Sequence, residues 1–166
     1  MEPIASVMVN RRLALVMATF AGVGFGLYNT YYPTVDVTIS VPMIVALALS
    51  IPATAIVHEL VHGLTSQVFG YRPKYGFKPP MVYITFEERV SAVHYKLIAL
   101  APFFIVTGAC AVFIVYGIWK RFFYFCLMIN VMGAVADLWA VARLFFYNRG
   151  YEVQDTKAGF DLYRTS

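Results

Sequence analysis

Ile51-Pro52-Ala53-Thr54-Ala55-Ile56-Val57-His58-Glu59-Leu60-Val61-His62-Gly63 sets two histidines and a glutamate inside an apolar run that extends from about residue 39 to 69. About 20 apolar residues cross a bilayer core, so the run is a membrane-span candidate. Histidines at i and i+4 share one helix face about 6 Å apart, the separation at which two imidazoles take adjacent corners of a tetrahedral zinc site. Glu59 projects about 100° away, where it reaches an activated water rather than the metal and acts as base and proton shuttle in peptide hydrolysis. The competing reading is a pair of core histidines bonded to serine or threonine, with Glu59 neutral and buried.

The remainder of the chain has the same character. Its 166 residues are 60% hydrophobic, 17% aromatic and only 13% charged, with a mean hydropathy of +0.68. An ordinary soluble domain carries about 25% charged residues, so this chain lacks the polar surface to coat a water-exposed globule. Disorder is excluded for the same reason. Three further apolar segments, at about 13–28, 95–118 and 122–147, complete the expected architecture: an all-α integral membrane protein of about four transmembrane helices, forming a single domain over residues 1–166. Pro52 and Pro102 fall within spans, and Pro52 is expected to kink its helix ahead of the histidines. Between spans two and three, residues 71–90 place glycine and proline around short β-prone runs, of which Met81 to Phe86 is the clearest, so a small hairpin at the membrane surface is expected. Residues 148–166 are polar and expected as a tail in water. Cys110 and Cys126 lie in apolar runs and read as small core hydrophobes, not as a disulfide framework.

The net charge of +4 brings no basic stripe or stacking module, so a nucleic-acid partner is not implied. The cations sort by membrane side instead. Arg11, Arg12, Arg72, Lys74, Lys78, Arg89, Lys96, Arg143, Arg149, Lys157 and Arg164 fall on one side, and only Lys120 and Arg121 on the other. That bias predicts both termini and the hairpin in the cytoplasm, with the protein in the cell membrane. Tyr28, Tyr31, Tyr32, Trp119, Phe122, Phe123 and Tyr124 cluster at the opposite span ends and read as an interfacial aromatic belt.

Seven of the nine acidic residues lie in termini or loops; Glu59 and Asp137 do not. A carboxylate inside a span costs at least about 2.5–3.5 kcal/mol, so each is a functional candidate that needs a partner. A catalytic zinc site takes a third protein ligand, and residue counting puts Asp137 at the depth of His58 and His62, roughly 10–17 Å below the cytoplasmic surface. The alternative for Asp137 is an ion pair with Arg143. Asn130 precedes Asp137 by two turns with Gly133 between them; its amide serves either a substrate carbonyl or the joining of two helices. Tyr83 and Ile84, in the strand, either pair with an extended substrate or simply close the hairpin. His94, alone at the membrane edge, reads as structural.

The motif His58-Glu59-Leu60-Val61-His62-Gly63, followed by Phe69-Gly70 and a short cytoplasmic hairpin, resembles the core of the site-2 protease clan of intramembrane zinc metalloproteases. Closer still is the resemblance to the DUF3267 zincin peptidase family, carried by His58 to Gly63 together with Asn130, Gly133 and Asp137. It covers about Ile51 to Asp137, over half of the chain. Site-2 proteases usually carry a proline where this chain has Gly133, and space their asparagine and aspartate one residue further apart. The resemblance implies a membrane-embedded protease in which His58, His62 and Asp137 hold one zinc ion and Glu59 activates water. The expected activity is endopeptidase cleavage of membrane-embedded or membrane-proximal protein segments, with the lipid bilayer and a protein substrate as partners. The alternatives are a zinc-binding membrane protein without protease activity and a small metal or proton transporter.

Overall fold

The computed structural model describes residues 3–8, 15, 16, 19, 20, 22–24, 26, 27, 30, 41–78, 81–156 and 159–165. In chain order its elements are β1 (Ala5–Met8), α1 (Val41–Val68), β2 (Pro73–Lys78), β3 (Met81–Phe86), β4 (Val90–Ser91), α2 (Ala92–Val115), α3 (Lys120–Gly133), α4 (Val135–Arg143), β5 (Tyr151–Thr156) and β6 (Gly159–Arg164).

The expectation of an all-α chain is therefore corrected. Two antiparallel sheets accompany the helices, one with strand order β1-β6-β5-β4 and the other the β2-β3 hairpin. Among the described residues, three stretches rather than four are helices long and apolar enough to cross a membrane: Ile44–Val68, Ala92–Val115 and Lys120–Arg143. The segment expected as a first span, 13–28, is described only in part, and its described residues are helical. Tyr28, Tyr31 and Tyr32 of the expected aromatic belt lie outside the described residues. Only 17%, 28% and 22% of the most apolar stretches of the three spans is buried. The outward remainder includes Ile44, Leu49, Phe104, Ile105 and Val112, a surface that suits hydrocarbon and not water.

Local chemistry sets the helix ends. Pro42 occupies the first turn of α1, where a missing N–H costs nothing. The helix closes on Gly70, whose φ of 85° is left-handed. The Gly70 N–H donates to Gln67 O at 2.9 Å and the Tyr71 N–H to Ser66 O at 3.1 Å, the pair of bonds that satisfies the last carbonyls and turns the chain directly into β2. The last span is nearly continuous: α3 stops at Gly133, Ala134 takes φ −69° and ψ −7°, and α4 resumes at Val135. Glycine is the weakest helix former after proline, which accounts for the position of the break.

The polar residues expected to form a tail in water form the β5-β6 hairpin instead, and it supplies the centre of the four-stranded sheet. Its residues alternate across the pleat, burying Val153, Phe160 and Leu162 against Ala92 and Leu144 at the helix ends. β1 pairs with β6 and β4 with β5, so residues 5–8, 90–91 and 151–164 lie in one sheet. A second cluster, Phe86, Val90 and Ile98, seats the hairpin against the base of α2. Cys110 and Cys126 are free and buried together with Val106 between α2 and α3, as small apolar residues would be.

Candidate metal centre

His58 and His62 project from one face of α1, their ring centroids 4.9 Å apart and their planes at 80°. Each ring is tied by its Nδ1. His62 Nδ1 lies 2.8 Å from Ile98 O, which can only accept, so Nδ1 carries a proton and Nε2 is the nitrogen available to a metal. His58 Nδ1 lies 2.9 Å from Asn130 Oδ1. The Asn130 amide is oriented by its other end, since Nδ2 donates to Pro102 O at 3.2 Å and to Thr107 Oγ1 at 3.1 Å. His58 therefore also carries a proton on Nδ1. Asn130 is 1% exposed and joins α1, α2 and α3 through these bonds.

Both Nε2 atoms face Asp137, in the first turn of α4. Its Oδ2 is 3.1 Å from His58 Nε2 and 3.4 Å from His62 Nε2. Among the described residues Asp137 has no ion pair with Arg143, whose guanidinium lies 5.7 Å from the Trp139 ring centroid. Gly133 lies one turn before Asp137, and a Cβ there would come within 3.9 Å of the His58 ring. Glu59 reaches in another direction: its Oε2 accepts the Ile84 N–H of β3 at 3.1 Å. The ligand atoms of His58, Glu59 and His62 all lie within 4.8 Å of one another.

The donor set fits zinc. Two ligands about 2.0–2.1 Å from a tetrahedral ion lie about 3.3 Å apart, and the Oδ2 to Nε2 separations of 3.1 and 3.4 Å bracket that value. Each imidazole also has its second nitrogen fixed by an acceptor, the outer support by which zinc-ligating histidines are oriented. Thr54, Ala55, Ile129 and Ala136 complete a cavity of about 210 Å³ beside these groups. A larger cavity, about 270 Å³, lies between the four-stranded sheet and the end of α4. Its one charged lining residue is Arg143, and it lacks the grouping of ligands found here.

The hairpin lies directly on α1. A Cβ on Gly63 would come within 1.9 Å of Tyr75 Oη, so the bare glycine makes room for the Tyr75 ring of β2 against α1. Ile84 meets Glu59 through its backbone, whereas Tyr83 packs across Gly76 of β2 and is partly exposed. His94 stands apart from the histidine pair, stacked on Phe69 at 4.5 Å and bonded to Tyr71 Oη at 2.9 Å.

Two supports were not singled out from the sequence. One is the Ile98 carbonyl. The other is the pair Gln154 and Asp155 on β5. Asp155 Oδ2 accepts the Phe86 N–H at 3.3 Å and its Oδ1 accepts the Tyr95 hydroxyl at 3.1 Å. Gln154 Nε2 donates to Phe86 O at 3.3 Å and to Glu87 O at 3.2 Å. Burial pushes the Asp155 carboxyl up to about 6, against the opposing effect of those two donors. The period-two pattern of residues 151–164 was the signal available for that hairpin.

The family model DUF3267, described as "Putative zincin peptidase", matches residues 51–151. That range includes every residue of the His58, Glu59, His62, Asn130 and Asp137 group and stops short of Gln154 and Asp155. No match was found among curated proteins or among solved structures.

Proposed function

The chain belongs to the DUF3267 family of zincin peptidases, and on that premise we propose that it is a zinc-dependent endopeptidase cleaving membrane-embedded or membrane-proximal segments of other proteins, in the manner of site-2 proteases. The observation that carries this reading is the convergence of His58 Nε2, His62 Nε2 and Asp137 Oδ2 on one point, inside helices apolar enough to span a bilayer. These three atoms would hold one zinc ion. When bound there, zinc supplies Lewis acidity, lowering the pKa of water toward about 7 and polarising a carbonyl.

The chain's own residues do the rest. Glu59 lies on the same helix one residue from His58, and its carboxylate takes the proton of the attacking water and delivers it to the departing amine. Asn130 holds His58 in the required tautomer. The β3 strand orients the substrate. The Ile84 and Phe86 N–H groups point away from β2, toward Glu59 and Asp155; alternation assigns the same outward direction to Val82. A helix hides its scissile amides in its own hydrogen bonds, so the substrate has to unwind, and an open strand edge gives the freed backbone its partners. Pairing at Ile84 takes the N–H that Glu59 now holds, which releases the base as the substrate arrives.

The sheet sits on the cytoplasmic side in this reading. Support comes from the excess of lysine and arginine on that side and from β1, β4 and the β5-β6 hairpin sharing one sheet. The test is metal analysis of protein purified in detergent without chelators, together with cleavage of a membrane-protein substrate. About one zinc per chain is expected in wild type and in Glu59→Gln, with loss in His58→Ala and Asp137→Ala and cleavage by wild type alone. Zinc retained in Asp137→Ala removes Asp137 from the ligand set. Zinc without cleavage of any membrane substrate favours a metal-binding protein that is not a peptidase.

A further inference from the structure

His62 takes its orientation from a carbonyl that an α-helix does not ordinarily leave free. Ile98 O lies inside α2, where its regular partner is the N–H four residues on. Residue 102 is proline and has no N–H. The proline ring also clashes with the carbonyl four residues before it and drives that carbonyl off the helix axis. In this structure the vacated carbonyl is the one that His62 Nδ1–H bonds, at 2.8 Å. The same turn serves the other histidine, because Pro102 O accepts from Asn130 Nδ2 at 3.2 Å and Asn130 Oδ1 accepts from His58 Nδ1 at 2.9 Å. Pro102 is fully buried, so its place in the span is among these side chains and not against lipid.

We infer that Pro102 is a positioning residue for the metal centre: by lacking an N–H it leaves Ile98 O to His62 Nδ1–H, and so presents the His62 Nε2 lone pair to the metal. The inference rests on the zinc-peptidase reading for its purpose but not for its test. Pro102→Ala restores a helix donor to Ile98 O, draws that carbonyl back toward the axis and removes the force that fixes the tautomer. Because alanine is the better helix former, the substitution leaves the span intact.

The test begins with metal-free protein carrying Asp137→Ala, which removes the carboxylate that faces His62 Nε2, labelled with 15N-histidine so that long-range proton–nitrogen correlations identify the tautomer of each ring. In that background His62 is expected as the Nδ1–H form with Pro102 in place and as a mixture with the Nε2–H form when Pro102→Ala is added. With Asp137 intact, zinc affinity measured by chelator competition should fall about 10–100-fold in Pro102→Ala, the usual effect of losing an outer-shell partner. A third protein carries the α-hydroxy acid analogue of alanine at position 102. It has neither ring nor N–H, and it should restore both the wild-type tautomer and the wild-type affinity. An unchanged His62 tautomer in Pro102→Ala overturns the proposal. So does failure of the ester to restore it, which would assign the effect to the proline ring alone. Wild type that binds no zinc would defeat the metal-centre reading, while the tautomer comparison would still decide whether Pro102 orients His62.

Discussion

The four-stranded sheet buries Val153, Phe160 and Leu162 against the ends of α2 and α4, whereas the β2-β3 hairpin leaves Tyr75 and Tyr83 partly exposed and Phe77 largely so, and turns the outer edge of β3 toward Glu59. Both are antiparallel, and they lie close enough for Gln154 and Asp155 of one to bond the backbone of the other. They differ in what satisfies their edges. In the larger sheet β5 and β6 have backbone partners on both sides. On β3 the outward amides of Ile84 and Phe86 end on carboxylates. A backbone ladder is a fixed structural element, but a side chain can yield its place to an incoming strand. The first sheet holds the helix ends together, and the second faces the candidate metal centre.

Substitutions can break this division. The largest expected effect is at Glu59, where Glu59→Gln removes the proton acceptor but keeps an oxygen for the Ile84 N–H. Cleavage should fall about 10²–10⁴-fold with zinc content and thermal stability unchanged, read by product formation beside elemental analysis. A matched pair of truncations separates the sheets next. Leu162→Ala, at a site 1% exposed, should cost about 2–5 kcal/mol in denaturant unfolding. Tyr83→Ala, at a partly exposed site, should stay within about 0.5 kcal/mol. Equal losses at both sites would erase the distinction.

Asp155, the link between the sheets, gives a pH signature. Its pKa is raised from 3.8 to about 6, so the folded state binds its proton more tightly than the unfolded chain. Stability from this group is greatest below pH 4, declines as pH rises to about 6 and is level above, a total of up to about 3 kcal/mol. Asp155→Asn cannot ionise and should lose that decline, visible as a flatter unfolding midpoint between pH 4 and 6. The smallest expected effect is at Val82. Proline there removes an outward N–H without touching the ladder to β2. Val82→Pro should weaken substrate binding about tenfold, one hydrogen bond's worth, seen as a raised KM with the melting temperature unchanged. A KM that does not move would remove the β3 edge from substrate recognition.

Much of the candidate site was legible because its spacing is local. His58, Glu59 and His62 are fixed by one helix, and the choice of Asp137 needed only a count of depth along two spans. The hairpin was legible from glycine and proline around Met81 to Phe86. The β5-β6 hairpin was missed because its polar residues were weighed by composition, while Val153, Phe160 and Leu162 already alternated at the period of a strand. The supports of the histidines were less accessible still. Asn130 was visible as an amide two turns from Asp137, but its bonds to His58, Pro102 and Thr107 join three helices. The Ile98 carbonyl has no side chain to announce it.

The sequence by itself determined the apolar spans, the histidine pair with its glutamate, and the free carbonyl that any proline leaves four residues before it in a helix. These follow from helical periodicity and from covalent structure, which act over a few residues. Only the tertiary structure decided that Ile98 O meets His62, that Asp137 Oδ2 lies between two imidazoles, and that β3 turns its edge to Glu59. Those contacts span 36, 79 and 25 residues of chain. Which of many compatible donors and acceptors meet over such separations is set by how the helices and sheets pack together, which no local pattern encodes.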